Sequence, residues 1–293
     1  MSDKTTTKMA ILTAITAVDA KKVASFLHCH MNNQFTPQVW QQGISKSWLV
    51  DAPNHGFMLI CDDQVVGVLC AIYSEQYVAG HLERFCNPHS WCVLPDFRSQ
   101  SIDLVLAVIR QKDFNFTMFS PNEEGIEIFS FLKFKPLDNR VSILLNVPSL
   151  SFSERVTIVT DKSKGKSLLS KYTAKCFDDH TQFPWLNFLI FSVEDQYEFM
   201  IFKRIKYKRF ACASIMYVSD IPLFQQCWPA LRTHLLFRYG MFSSKIESRL
   251  LGQPVKSLFL YKQEAGSQKL FLSKDLPADC IQNIYSELVA LDL

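Results

Sequence analysis

The stretch Trp91-Cys92-Val93-Leu94-Pro95-Asp96-Phe97-Arg98-Ser99-Gln100-Ser101-Ile102-Asp103 decides how this chain reads. Its first residues are β-formers that stop at Pro95, which has no N–H for a ladder, so a strand over about 90–94 ends there. From Ser101 onward, Ile102, Val105, Leu106 and Ile109 recur at helical spacing and predict a helix over 101–111. A strand, a polar turn holding Arg98 and a helix N-terminus make an anion site. The first-turn amides have no partner inside the helix and point outward, and the guanidinium adds a full charge.

Working outward, 114–119 reads as a strand and 122–131 as a helix. The turn Leu132-Lys133-Phe134-Lys135 follows it, and 141–147 is a further strand. Upstream, 10–16 is a strand, and Asp19 opens an amphipathic helix with Val23, Phe26 and Leu27 on one side. Residues 31–56 are polar and irregular. The β-rich runs around Asp62-Asp63-Gln64 form a hairpin over 56–73. After a linker at 148–153, the runs 186–193, 197–205 and 210–218 are β-rich, and Asp220 with Pro222 opens a helix to about 237. Strands over 256–261 and 269–272 and a closing helix over 277–291 complete the chain. The second half thus repeats the element order of the first without a residue-level repeat. The fold class is α/β (α+β): two tandem domains, 1–147 and 148–293, each a mixed, twisted sheet flanked by helices.

Composition supports two cores. Of 293 residues, 48% are apolar and only 20% charged, which excludes a disordered chain. The net charge of +3 is too small to announce a nucleic-acid partner, but it is uneven. Residues 1–150 carry 12 basic against 14 acidic side chains, and residues 151–293 carry 19 against 14, so the second half is the better seat for an anion. The nine cysteines are odd in number, have no CxxC framework and sit mostly in apolar runs, which predicts free thiols and a reducing cytoplasm. Residues 9–18 after Lys4 and Lys8 faintly resemble a signal peptide, but the run is short, broken by threonines and leads into a helix start. No apolar run approaches the ~20 residues of a membrane span.

The order and spacing of residues 91–135 resemble the Gcn5-related N-acetyltransferase (GNAT) superfamily. In that family a strand ending Val-x-Pro-x-x-Arg leads into a loop whose amides hold the coenzyme A pyrophosphate. The resemblance places Cys92, Val93, Leu94 and Arg98 at the strand end and loop start. It puts Ser99, Gln100, Ser101, Ile102 and Asp103 in the pyrophosphate loop, and Asn122 beside the pantetheine arm. Four positions depart from the family pattern. Ser101 and Asp103 stand where loop glycines are usual, Lys133 replaces the closing-turn glycine, and Phe129 occupies the place of the tyrosine that protonates the departing thiolate. Either the pocket is modified for another acyl donor, or its coenzyme site has decayed.

The tandem layout resembles, within that superfamily, bacterial nucleotide-sugar N-acyltransferases. These acylate dTDP-linked 3-amino-3,6-dideoxyhexoses for surface polysaccharides, often with a 3-hydroxybutanoyl group. The resemblance implies an acyl-CoA co-substrate (acetyl or 3-hydroxybutanoyl) and a dTDP-linked amino sugar as acceptor. It also implies direct attack in a ternary complex, with the donor in the first domain and the acceptor at the junction of the two. A cytoplasmic monomer is expected, with no metal, nucleic acid or membrane as partner.

Direct aminolysis needs alignment, carbonyl polarisation and removal of a proton. A backbone amide near Cys92–Leu94 is placed to polarise the carbonyl. His89 is the leading candidate to remove the proton, because imidazole titrates near neutrality; it is otherwise a loop histidine after Pro88. Glu83 and Glu75 are alternatives or surface charge, and Ser90 orients a water or bonds to backbone. Arg204, Lys206 and Lys208 share a strand face, as a diphosphate site or as a solvated edge. Asp178-Asp179-His180 is a loop or a sugar-hydroxyl contact, and Tyr217 belongs to the same acceptor side. Trp40, Trp48 and Trp91 stack on the acceptor or pack the core. Two rival functions stay open: a non-catalytic ligand-binding module, and an aminoacyl-tRNA-dependent transferase, which would want a long basic helical arm that is not visible.

Overall fold

The computed structural model describes residues 9–78, 80–149, 156–251 and 259–293. Strand β1 (Ile11–Ala14) runs into a capping box in which the Asp19 carboxylate accepts from the Thr16 amide (2.8 Å) and hydroxyl (2.6 Å), opening a 3-10 turn (Ala17–Asp19) that leads into α1 (Ala20–His30). The stretch read as irregular contains α2 (Pro37–Ile44), with Thr36 as N-cap and Pro37 in the first turn. Its three glutamines, one proline and one glycine among eight positions hid it.

Strands β2 (Gly56–Cys61), β3 (Gln64–Val78) and β4 (His81–Val93) form an antiparallel meander. Asp62 (φ 50°) and Asp63 (φ 60°) make the turn between β2 and β3, in the left-handed region that aspartate tolerates. A 3-10 turn over Pro95–Gln100 leads into α3 (Ser101–Ile109), followed by β5 (Asn115–Met118) parallel to β4 and by α4 (Glu123–Phe131). Then come β6 (Lys135–Pro136) and β7 (Arg140–Leu145).

The second half begins with β8 (Val156–Val159), α5 (Lys162–Lys166) and α6 (Lys171–Thr181). It continues with β9 (Asn187–Val193), β10 (Gln196–Tyr207), β11 (Phe210–Val218), α7 (Ile221–Tyr239), β12 (Ser243–Glu247) and β13 (Leu260–Ala265). The chain closes with β14 (Leu270–Leu272) and the short α8 (Glu287–Ala290). Residues 150–153 of the expected linker and 256–258 of an expected strand lie outside the described residues.

There are two mixed seven-stranded sheets, ordered β1-β2-β3-β4-β5-β14-β6 and β13-β7-β12-β11-β10-β9-β8. Each begins as strand, helices and three-stranded meander, then crosses through a helix to a parallel fifth strand. The sixth strand of each comes from the other stretch of chain: β7 joins the second sheet beside β12, and β14 joins the first beside β5. The compact units accordingly divide at Leu137/Asp138, and Gln268–Ile281 with Tyr285–Leu293 belong to the first. This differs from the boundary at 147 and from a second domain running to 293. The expected closing helix over 277–291 is a 3-10 turn at Ala278–Cys280, an irregular stretch and the four residues of α8. From Ile281 to Leu291 nearly every residue is buried, so no helical face is left for water.

The core of the first sheet on one face joins Leu69, Tyr73, Cys86, Leu104, Val105, Val108 and Phe129. On the other, Val23, Leu27, Trp40, Ile44, Val68 and Leu291 pack together. In the second unit Phe191, Phe202, Phe224, Trp228 and Leu231 pack between sheet and α7. All nine cysteines are free thiols. Among the described residues no helix is long and apolar enough to cross a membrane.

Gly56 starts β2 at φ +105°, and a Cβ there would lie 2.2 Å from the Leu69 carbonyl oxygen and 2.7 Å from Cys70 Cα. Those neighbours are backbone and cannot swing aside. Gly56→Ala is therefore expected to destabilise by about 2–3 kcal/mol in chemical denaturation, from strain at positive φ plus the clash.

Candidate functional site

The site grows from an interrupted strand pair. β4 and β5 are paired only at Phe85↔Asn115 and Cys86↔Phe116, after which β4 continues alone to Val93. On its other edge β4 carries a bulge: Val68 faces Cys92 while Cys70 faces His89, so β4 has one extra residue, and Ser90 takes φ 52° there. The Leu94 amide donates to Val66 O (2.9 Å), on the β3 side. Amides alternate along a strand, so the Val93 N–H faces the opposite edge, toward the gap left by β5. Of the amides near Cys92–Leu94, that of Val93 is thus the one that faces the gap.

Two cavities open at this gap. The larger, about 630 Å³, is lined by Trp91, Cys92, Val93, Arg98, Ser99, Ser101, Ile102 and Asn122, with His30, Met31, Glu124 and Ile128. The smaller, about 190 Å³, is lined by Trp40, Ser90, Trp91, Met118, Ser120, Asn122, Phe129 and Glu287 among others. Met31, Trp91 and Asn122 line both.

Of the strand-end and loop residues, Cys92, Val93, Arg98, Ser99, Ser101 and Ile102 line the larger cavity, with local differences. The loop is a 3-10 turn, and the Ser101 N–H is already used by Arg98 O. No side chain caps α3, because Gln100 at its N-cap bonds the main chain of Ala10 instead, accepting at 3.0 Å and donating at 3.0 Å. The first-turn amides of α3 are thus left without a side-chain acceptor beside exposed Arg98. Gln100 itself is a tether and lines neither cavity, which corrects its expected ligand role. Leu94 packs into the core and Asp103 is exposed on α3; neither lines a cavity. Asn122 caps α4, its Oδ1 accepting from the Gly125 N–H (2.9 Å), which leaves its amide NH2 at the rim of both cavities. Phe129 is fully buried against Trp91 and Phe134, a ring with no proton to give.

His89 does not fit a base. It is 2% exposed, lines neither cavity, and bonds Ser90 Oγ through Nδ1 (2.9 Å). Burial pulls its pKa down to about 3, so near neutral pH it cannot take a proton from an ammonium group. Glu83 accepts from Asn115 (3.1 Å) beside the paired end of β4 and β5, away from both cavities, and Glu75 faces Arg84 (3.7 Å).

The second unit holds the other expected contacts. Asp179 pairs with Lys175 (2.7 Å), and His180 is fully buried between the carbonyls of Cys176 (2.7 Å) and Ile284 (2.9 Å). His180 is thus a packed helix residue, which overturns its expected sugar contact. Tyr217 packs against Phe199, and burial raises its hydroxyl pKa well above the ordinary value. Arg204 and Lys206 are exposed on β10, with Arg204 donating to Tyr239 O (3.2 Å), but Lys208 sits in the β10–β11 turn at φ 46° and leaves that face. Among the described residues no cluster of His, Cys, Asp or Glu could hold a metal ion.

Sequence reading missed Glu287, Ser120 and Asn87. Ser120 Oγ donates to Glu287 Oε1 (2.6 Å) across 167 positions, a separation at which no local pattern signals a contact.

His89 gives a direct check. Its folded pKa lies below the unfolded value of 6.5, so below that pH only the unfolded chain takes up the proton. Stability should fall as pH drops from 6.5 toward 3, and the His89 imidazole resonances should not titrate between pH 8 and 4. A His89 midpoint near 6.5 would contradict the burial argument.

No protein-family model matches this sequence, and no curated protein matches it. Solved structures do. A GCN5-related N-acetyltransferase from Kribbella flavida aligns with 90% of this chain and 71% of its own at 12% identity and TM-score 0.61. One from Anabaena variabilis aligns with 89% and 72% at 11% identity and TM-score 0.58. A conserved protein of unknown function from Enterococcus faecalis, described as a probable N-acyltransferase, aligns with 89% and 72% at 11% identity and TM-score 0.59. Over nine tenths of its length, this chain has the tandem fold of GCN5-related N-acetyltransferases.

Proposed function

We propose that this protein is an acyl-CoA-dependent N-acyltransferase whose donor occupies the larger cavity. The observation that carries the proposal is the gap beside β4. It brings the outward Val93 amide, the uncapped first turn of α3 and Arg98 to one cleft. A CoA pyrophosphate suits Arg98 and the α3 amides, because fixed donors at a helix start favour an anion. The pantetheine chain suits the rim at Asn122 and Trp91. The Val93 N–H would polarise the thioester carbonyl, and alignment across the gap would supply much of the rate. With Phe129 unable to donate, the departing thiolate takes its proton from the amine nitrogen or from water.

For the acceptor we propose the primary amine of a nucleotide-linked amino sugar, attacked upon directly in a ternary complex. What supports a diphosphate is the charge excess of residues 151–293 and the exposed Arg204 and Lys206. One observation favours the rival binding module, and it is Phe129 in place of a proton donor. Thiol release with acetyl- and 3-hydroxybutanoyl-CoA over a panel of dTDP-amino sugars and simple amines separates the two. A binding module would retain the CoA thioester and release nothing with any amine.

The donor placement has its own check. Arg98→Ala should weaken acetyl-CoA binding in calorimetry by about tenfold, the low end for a charge-assisted contact because Arg98 is solvent-exposed. Arg98→Lys should recover part of that loss. Unchanged affinity in both variants would remove the pyrophosphate from this loop.

A further inference from the structure

Glu287 is the unexplained group of this molecule. It is 1% exposed, it lines the smaller cavity, and its Oε2 has no hydrogen-bond partner. Carboxylates are seldom buried half-satisfied, because an unpaired buried acceptor costs the whole desolvation of that atom. A second orphan lines the same cavity: the Trp91 indole Nε1 is buried with no acceptor. The cavity thus presents a buried free acceptor and a buried free donor, with the rings of Trp40, Trp91 and Phe129 around them and no lysine or arginine in its lining.

That pattern selects a ligand. An ammonium group satisfies a carboxylate oxygen and is attracted by aromatic faces, whereas a phosphate would meet a carboxylate with no lysine or arginine in the lining to hold it. We infer that the smaller cavity is the acceptor site for a protonated primary amine and that Glu287 both binds the ammonium group and takes its proton. The inference rests on the N-acyltransferase reading, and it narrows it. Any diphosphate on the acceptor must lie outside this cavity.

The supporting chemistry is local. Ser120 holds Oε1 at 2.6 Å and the Glu287 N–H donates to Asn87 Oδ1 (3.1 Å), so the carboxylate is fixed at one oxygen and open at the other. Burial raises its pKa above the ordinary carboxylate range, opposed by the Ser120 hydroxyl, the charge of Lys269 and Asn87. That moves a weak base toward the strength a proton acceptor needs near neutrality. The ammonium gives H⁺ to Glu287 Oε2, and the freed nitrogen lone pair attacks the thioester carbonyl carbon. The C–N bond forms, the C–S bond breaks, and sulfur leaves with that electron pair and acquires the second nitrogen proton. The products are the amide and the free thiol, and Glu287 returns its proton to solvent. Met31, Trp91 and Asn122, common to both cavities, mark where amine and thioester meet.

The test uses the full chain, with benzylamine as probe and benzyl alcohol as its uncharged counterpart. At pH 7 the wild type should bind benzylamine at least about tenfold more tightly than benzyl alcohol, with shifts of the Trp40 and Trp91 indole N–H resonances. Glu287→Gln keeps the shape and the Ser120 contact, and should erase the preference. With acetyl-CoA added, Glu287→Gln should lower the kcat of thiol release to benzylamine by about a hundredfold and leave acetyl-CoA affinity within twofold. Binding of benzylamine no tighter than the alcohol, including no binding of either, overturns the inference even if the Gln variant does not fold. An unchanged preference in a folded Gln variant overturns it as well. Absence of thiol release in the wild type, or its survival in the variant, overturns the proton-transfer role. Failure of acetyl-CoA to bind, with the amine preference intact, would instead strike the acyl-donor reading alone.

Discussion

The side chain of Asn87 stands where the first sheet comes apart. It is the first residue of β4 beyond the last paired position, and it is 1% exposed. Its amide donates to Thr117 O (3.0 Å) on β5, a carbonyl the ladder would otherwise leave unpaired. Its Oδ1 accepts the Glu287 N–H at the start of α8. One amide thus replaces a strand ladder with a wedge, satisfies buried backbone on both sides and anchors the element that carries the buried carboxylate. Without such a bridge two strands could not diverge in a dry interior, since buried backbone groups must find partners. The gap, the outward Val93 amide and both cavities follow from that divergence.

The far side of β5 is closed by chain from the other end of the sequence. β14 pairs with β5 from Leu270↔Met118 to Leu272↔Phe116, so the edge of β5 away from β4 is paired. The following residues then pack down, Ile281 beside Phe85 and Phe119, and Leu291 so close to Gly43 that a Cβ there would lie 2.2 Å from Leu291 Cδ2. Ser286 caps α8 by accepting from the Leu288 N–H (3.3 Å). The energy holding Glu287 in place is the apolar burial of its neighbours, which is large enough to offset one half-satisfied carboxylate.

What was legible in the sequence was local. The Asp62-Asp63 turn between two β-rich runs, the helix starting near 122 and the Arg98 turn between strand and helix each rest on residues within a few positions of one another, and each forms. Two kinds of feature were not legible. Short polar elements such as α2 have no apolar stripe to announce them, since only Trp40, Gly43 and Ile44 of that helix are buried. Long-range exchange left no trace either: nothing in Val141–Leu144 marks β7 as a strand of the second sheet, because any buried strand shows the same apolar run. His89 was misread for a related reason. Residue type gives its ordinary titration range, but only the fold shows that water does not reach it.

The same plan without the gap appears in the second unit. There the parallel pair equivalent to β4 and β5 is β11 and β12, and it stays in register over four positions, from Cys212↔Ser243 to Ile215↔Ile246. The crossover helix α7 is capped by Asp220, whose Oδ1 accepts the Leu223 N–H at 2.7 Å, so its first turn is already occupied by a carboxylate. The first unit has a short pairing and an uncapped α3; the second has a longer pairing and a capped α7. The shared topology therefore does not by itself open a cleft: the space between strands and the uncapped helix start belong to the first unit. A longer ladder and a filled cap are what set the second unit apart, differences small enough to leave seven strands in the same order.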